Sequence, residues 1–181
     1  ERVLTMERVQ GMSLDAFLQI ATPQARQRAG IALARAFHFM TYELCALHAD
    51  PHAGNYLFTE DGSVGILDFG CVKRLDPYFV ASYARLALAV IGKRRAEAVA
   101  LMHEMEVLNS DRPEAEEALW QLADTMCEPF RRGVYSAGSA QDAVQQKVKA
   151  LMPSILRYPE IRSHREMIYL HRALGGVYAL I

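Results

Sequence analysis

Cysteine is scarce in this sequence. Cys45, Cys71 and Cys127 are the three residues of that kind, widely spaced and without a C-x-x-C pair. That argues against a disulfide framework or a cysteine-based zinc site and suits a reducing compartment. Neither sign of charge is in excess: 20 Lys and Arg stand against 21 Asp and Glu, for a net charge of -1. A nucleic-acid binder carries a marked basic surplus, and no nucleic-acid partner is expected here. No run of apolar residues is long enough to span a bilayer as a helix. The opening residues, "ERVLTMERVQG", are charged and strand-like rather than an apolar signal sequence. They also lack an initiator Met, and the chain reads as a piece of a longer protein.

What is present is an ordinary globular composition, 51% hydrophobic over 181 residues, enough for a proper core. "RVLTMERV" reads as a short strand ending at Gly11. Ser13 caps a short helix over 14–20, and Thr22-Pro23 starts a long one. Its stripe of Leu33, Phe37, Met40, Leu44 and Leu47 keeps helical spacing to about residue 47, although Gly30 weakens it. "YLFT" and "VGIL" then form a hairpin around Glu60-Asp61-Gly62-Ser63. Asp76-Pro77 starts another helix, and further helices are expected over 94–107, 113–128, 140–152 and 160 onward. Pro113 suits a helix start, and Pro129 and Pro153 suit helix ends. The fold class is mainly α with one small β hairpin near the start.

That hairpin is flanked by chemistry. "LHADPHAGNYLF" places His48, Asp50 and Asn55 in the H-x-D-x-x-x-x-N order of a kinase catalytic loop. There the Asp orients or deprotonates the attacking hydroxyl and the Asn holds Mg²⁺. Asp68, 13 residues beyond Asn55, opens Asp-Phe-Gly and supplies the second metal ligand. Mg²⁺ takes hard oxygen donors and shares its shell with phosphates, which one carboxylate and one amide can serve. Gly54 and Gly70 allow tight turns beside each ligand, Phe69 completes the motif, and His48 is expected to hold the loop.

Other readings of these residues compete. His48 and His52, at i and i+4, could bind zinc on a helix, but Pro51 and Gly54 break that helix and no third ligand is evident. Asp50 and Asn55 could be plain turn residues, were Asp68 not in register with them. Glu60, Asp61 and the series Arg157, Arg162, Arg165 and Arg172 read as solvated faces, with contact to anionic lipid or phosphate as the alternative.

"HADPHAGN" followed by "LDFG" resembles the UbiB (AarF-domain) atypical protein-kinase-like family, with Ala53 where that family usually has Pro. The resemblance implies a protein-kinase-like C-lobe over 12–181, with the catalytic loop at 48–55 and D-F-G at 68–70. Residues 1–11 then correspond to the hinge strand from a missing N-lobe. Met6 takes the gatekeeper position, and the backbone of Glu7 and Val9 meets the adenine of ATP. "HREMIYLHRALGGVYALI" is similar to the family's C-terminal helical region.

The implied activity is that of an ATP- and Mg²⁺-dependent kinase or ATPase supporting ubiquinone (isoprenoid lipid) biosynthesis. It is expected on the cytoplasmic or organellar-matrix side, with any membrane anchor in parts outside these residues. Gly-rich or Ala-rich phosphate loop, Lys–Glu pair and K-x-G-Q segment are all missing. An upper lobe of the same parent chain is therefore the expected partner, and the isolated chain is expected to be inactive. Only "CVKRLD" separates Gly70 from Pro77, and no A-P-E string follows, which favours a small-molecule or lipid-like substrate over a protein. One alternative is a small-molecule phosphotransferase of the aminoglycoside or choline kinase type, against which Ala49 and Gly70 speak. The other is a nucleotide-binding scaffold without turnover.

Overall fold

A computed structural model describes residues 3, 5–131 and 139–180, with only the backbone at 139–142. The elements follow in the order α1 (Leu14–Ile20), α2 (Pro23–His38), β1 (Ala46–His48), β2 (Tyr56–Phe58), β3 (Val64–Ile66) and β4 (Val72–Arg74). After these come α3 (Pro77–Ile91), α4 (Arg95–Glu104), α5 (Pro113–Arg131), α6 (Ser139–Leu156) and α7 (Arg165–Leu180). The chain divides into two compact units. The first holds the residues up to Arg74 together with Leu170 onward, and the second holds Leu75–Tyr169.

Helix starts follow the side-chain chemistry of their caps. Ser13 Oγ accepts from the Ala16 amide at 3.3 Å and Thr22 Oγ1 from Ala25 at 3.2 Å. Asp76 Oδ1 accepts from Tyr78 at 2.7 Å. Each satisfies a first-turn N–H that has no partner within its helix.

In the first unit, Phe17 of α1 stacks on Phe58 of β2 with ring centroids 5.1 Å apart. Leu33, Phe37, Leu47, Tyr56, Leu170, Ala173 and Val177 are among the other buried residues of this unit. β2 and β3 pair antiparallel, Tyr56 opposite Ile66 and Phe58 opposite Val64. The connecting turn is held by Asp61, whose Oδ1 accepts from the Thr59 hydroxyl at 2.5 Å and the Ser63 amide at 3.2 Å. These bonds, the Thr59 hydroxyl foremost, hold the Asp61 carboxyl below the usual carboxylate range. Asp61 is thus a turn-forming residue rather than merely a solvated one.

The second unit is helical. Phe79, Val90, Leu101, Met102, Leu108 and Leu119 are buried in its core. Arg95 of α4 donates to Glu116 and Glu117 of α5 at 2.8 and 2.6 Å, and these exposed pairs add little stability.

Several expectations need correction. Residues 5–11 are irregular; Met12 alone pairs, bridging Phe58. The side chains of Thr5–Gln10 are exposed on both sides, so alternation has no buried face to act on. Glu1, Arg2 and Leu4 of that run lie outside the described residues. The long helix ends at His38, passes through a π-helical turn at Phe39–Glu43, and turns at Cys45 with φ 45°. Leu44 is therefore exposed, and Leu47 is buried as a strand residue. A second ladder, β1 with β4, pairs Leu47 with Lys73 and His48 with Val72. Pro129 and Pro153 lie inside the last turns of α5 and α6 instead of ending them, because a fixed φ near −65° fits a helix and costs one hydrogen bond. α4 stops at Glu104, and the last helix begins at Arg165; between them Leu108 bridges Ile161.

Gly62 has φ 88°, and a Cβ there would collide with the carbonyl oxygen of Ala25 in α2. Gly62→Ala is therefore expected to cost at least about 1 kcal/mol from the left-handed backbone alone, with the collision added. Urea denaturation of the variant against the parent measures it.

Candidate functional site

The two ladders of the first unit share a rim. β1 leads into the turn 49–55 and β2 leaves it; β3 leads into the turn 67–71 and β4 leaves it. Three contacts lay the turns side by side. The Ala49 amide donates to Cys71 O at 2.8 Å, and the Leu67 amide donates to Asn55 O at 2.8 Å. The third is the buried imidazole of His48, whose Nε2 lies 3.0 Å from Asp68 O and 3.3 Å from Leu67 O. Both partners are carbonyl oxygens that can only accept, so Nε2 carries the proton and is shared between them. Nδ1, equally buried, has no partner among the described residues. The imidazole packs between the rings of Tyr56 and Phe69, at 6.2 and 5.8 Å.

Asn55 is the last residue of a single 3₁₀ turn, Ala53–Asn55, and is 6% exposed. Its side-chain Nδ2 donates to Asp50 O at 2.9 Å. One N–H of the side-chain amide is thereby used within the loop, and the amide oxygen is the end turned away from that bond. Asp50 is half exposed, with Oδ2 3.5 Å from Nε2 of His52. His52 caps the 3₁₀ turn, its Nδ1 accepting from the Gly54 amide at 3.1 Å. Tyr56 stands behind them; burial, and secondarily the Asp50 charge, hold its hydroxyl proton on above the usual range.

Asp68 adopts the left-handed backbone, φ 52°, and its Oδ1 accepts from the Gly70 amide at 3.0 Å. The turn therefore bends at the aspartate itself. Gly54 and Gly70 are not left-handed; they supply space instead. A Cβ on Gly54 would come within 2.9 Å of His52 Cε1, and one on Gly70 within 2.9 Å of Asp68 Oδ1. Phe69 is 59% exposed.

Of the residues expected at the nucleotide, Met6 (gatekeeper) and Glu7 are exposed, and Val9 lies over β3, where a Cβ on Gly65 would meet its Cγ1 at 2.8 Å. Sequence reasoning missed His52 as a cap and Pro51 as a packing residue. The first was legible in the short polar turn; the second depends on a distant helix and was not.

A mostly helical chain with short antiparallel ladders that set a His-Asp-Asn turn against an Asp-Phe-Gly turn is of the kinase-like class. Residues 1–102 match the ABC1 atypical kinase-like domain, and the chain belongs to that family. It is 27% identical over 183 residues to the mitochondrial atypical kinase COQ8 of Schizosaccharomyces pombe, covering 98% of this chain and 29% of that protein. It is 22% identical over 182 residues to the mitochondrial atypical kinase COQ8B of Danio rerio, covering 99% and 29%. A chloroplastic aarF domain-containing protein kinase of Arabidopsis thaliana is 35% identical over 112 residues, covering 61% and 21%. The chain thus spans less than a third of the length of each of these relatives. No helix among the described residues is long and apolar enough to cross a membrane.

His48→Leu withdraws the donor shared by Leu67 O and Asp68 O. The expected cost, read by urea denaturation, is about 1–3 kcal/mol, because two part-buried carbonyls lose their shared donor together. Hydrogen exchange across 67–71 should rise at the same time.

Proposed function

We propose that this chain is the lower half of an ATP-dependent, UbiB-type atypical kinase or ATPase, completed by an upper lobe of its parent. The observation that carries the reading is the joining of the two turns. Asn55 is tied to the backbone of Asp50 on one side and of Leu67 on the other, so Asp50, Asn55 and Asp68 share one rim.

The residues present suit Mg²⁺. Among those described, no group of three or more His, Cys, Asp or Glu is placed to hold a metal ion. Asp68 and Asn55 instead offer one carboxylate and one amide oxygen. That small set of hard donors serves a cation that draws the rest of its shell from phosphates and water. When bound, the metal supplies charge neutralisation to the transferring phosphoryl group.

In this reading Asp50, half exposed at the rim, orients the attacking hydroxyl or water. The bond from Asn55 to Asp50 O fixes the distance between the metal-binding and nucleophile-orienting ends of the loop. His48 sets the height of Asp68 through its backbone carbonyl. The family likeness supports Met6 as the gatekeeper and the backbone of Glu7 and Val9 as the groups that meet adenine. Positioning and electrostatic complementarity then carry most of the rate enhancement.

The family likeness supports a small-molecule or lipid-like substrate, a link to ubiquinone or related isoprenoid lipids, and contact with a membrane surface. A mitochondrial or other organellar compartment accords with the names of the relatives.

The test is Mg²⁺-dependent phosphate release from ATP by the full-length parent, with and without lipid vesicles. Asp68→Ala is expected to abolish turnover, and Asp50→Asn to lower it by about 100-fold or more. The 181-residue chain alone is expected to release no phosphate. Normal turnover by either variant overturns the site; ATP binding without turnover in the wild type favours a scaffold.

A further inference from the structure

The chain places adjacent glycines, Gly175 and Gly176, in the interior of α7. Each costs about 1 kcal/mol relative to Ala in such a position, and the two are not equivalent. A Cβ on Gly175 meets nothing within 4 Å. A Cβ on Gly176 would fall 3.0 Å from Pro51 O, 3.3 Å from Pro51 Cβ, and into Pro51 Cγ. Gly176 neighbours the buried stripe of Leu170, Ala173 and Val177, so the helix has no freedom to turn that position outward.

Pro51 sits between Asp50 and His52. The ring cannot swing aside as an open side chain could, because it is closed on its own backbone. Displacing it must carry the Asp50–Pro51 peptide with it. That peptide's carbonyl, Asp50 O, receives the Asn55 side chain at 2.9 Å and the His52 amide at 3.0 Å. One contact therefore reaches both ends of the loop.

We propose that Gly176 is a positioning residue. By presenting bare backbone to Pro51, α7 seats the 48–55 loop at the height that aligns Asp50 with Asn55. The proposal rests on the kinase-like reading of that loop for its effect on turnover, but not for its effect on loop geometry.

The experiment compares Gly176→Ala, Gly175→Ala, Pro51→Ala and the Gly176→Ala/Pro51→Ala double variant in the full-length parent. Hydrogen exchange of the 47–58 peptide, kcat, KM for ATP and the Mg²⁺ concentration giving half-maximal turnover are measured. In Gly176→Ala the loop should exchange faster and kcat should fall about 10- to 100-fold, as for a displacement near 1 Å. The Mg²⁺ requirement should rise through Asn55, while KM for ATP moves less than kcat. Gly175→Ala should match the parent in all four. Removing the Pro51 ring in the double variant should restore loop protection and the Mg²⁺ requirement relative to Gly176→Ala.

Indistinguishable loop exchange in the Gly176 and Gly175 variants overturns the proposal. So does a loss of activity with no change in Mg²⁺ requirement, which marks a general loss of stability. Should Gly176→Ala fail to fold, recovery of folding in the double variant supports the contact, and failure of both overturns it. Altered loop exchange in a parent that never releases phosphate supports the positioning contact and removes the proposed function.

Discussion

The site depends on one imidazole. His48 lies at the end of β1, yet its Nε2–H is shared by the carbonyls of Leu67 and Asp68 at the end of β3. Neither ladder is long: each pairs three residues with three. An isolated pair of strands this short is marginal in water. The shared imidazole and the flanking bonds from Ala49 to Cys71 and Leu67 to Asn55 make the two ladders support one another. A buried, doubly used donor is also hard to replace, since both acceptors lose their partner together.

Rigidity at the rim is obtained through backbone devices more than through side-chain ion pairs. Asp68 is held in the left-handed region and closes on the Gly70 amide. His52 caps a single 3₁₀ turn that ends at Asn55. The carboxylate of Asp50 is left half exposed, near His52 but not enclosed by it. In the proposed function, this division suits phosphoryl transfer, in which the protein's task is to hold a few oxygen donors at fixed positions against mobile phosphate.

Much of the fold was legible from local rules. The caps at Ser13, Thr22 and Asp76, the β2–β3 hairpin and its Asp-Gly turn follow from short-range chemistry and appear where that chemistry places them. The errors share a cause. Periodicity carried the second helix through Leu44 and Leu47, but the π-helical turn and the left-handed Cys45 redirect the chain, so the same spacing ends in a strand. "RVLTMERV" has the residues of a strand and lacks a face to bury, so its described part stays irregular. β1 and β4 were missed because three-residue strands joined across 23 intervening residues leave almost no periodic trace.

Sequence by itself determined the chemical inventory: His48, Asp50, Asn55 and Asp68 at kinase-like spacing, in a family that residues 1–102 match. It also determined the helix starts at Ser13, Thr22 and Asp76, because a cap bonds within three residues of itself. Only the tertiary structure decided which backbone atoms His48 bridges, that the second turn bends at Asp68 rather than at its glycine, and that Gly176 meets Pro51. The first and last of these join residues 20 and more than 100 positions apart. No local propensity encodes such distances; they are settled by which buried surfaces can close on one another without collision.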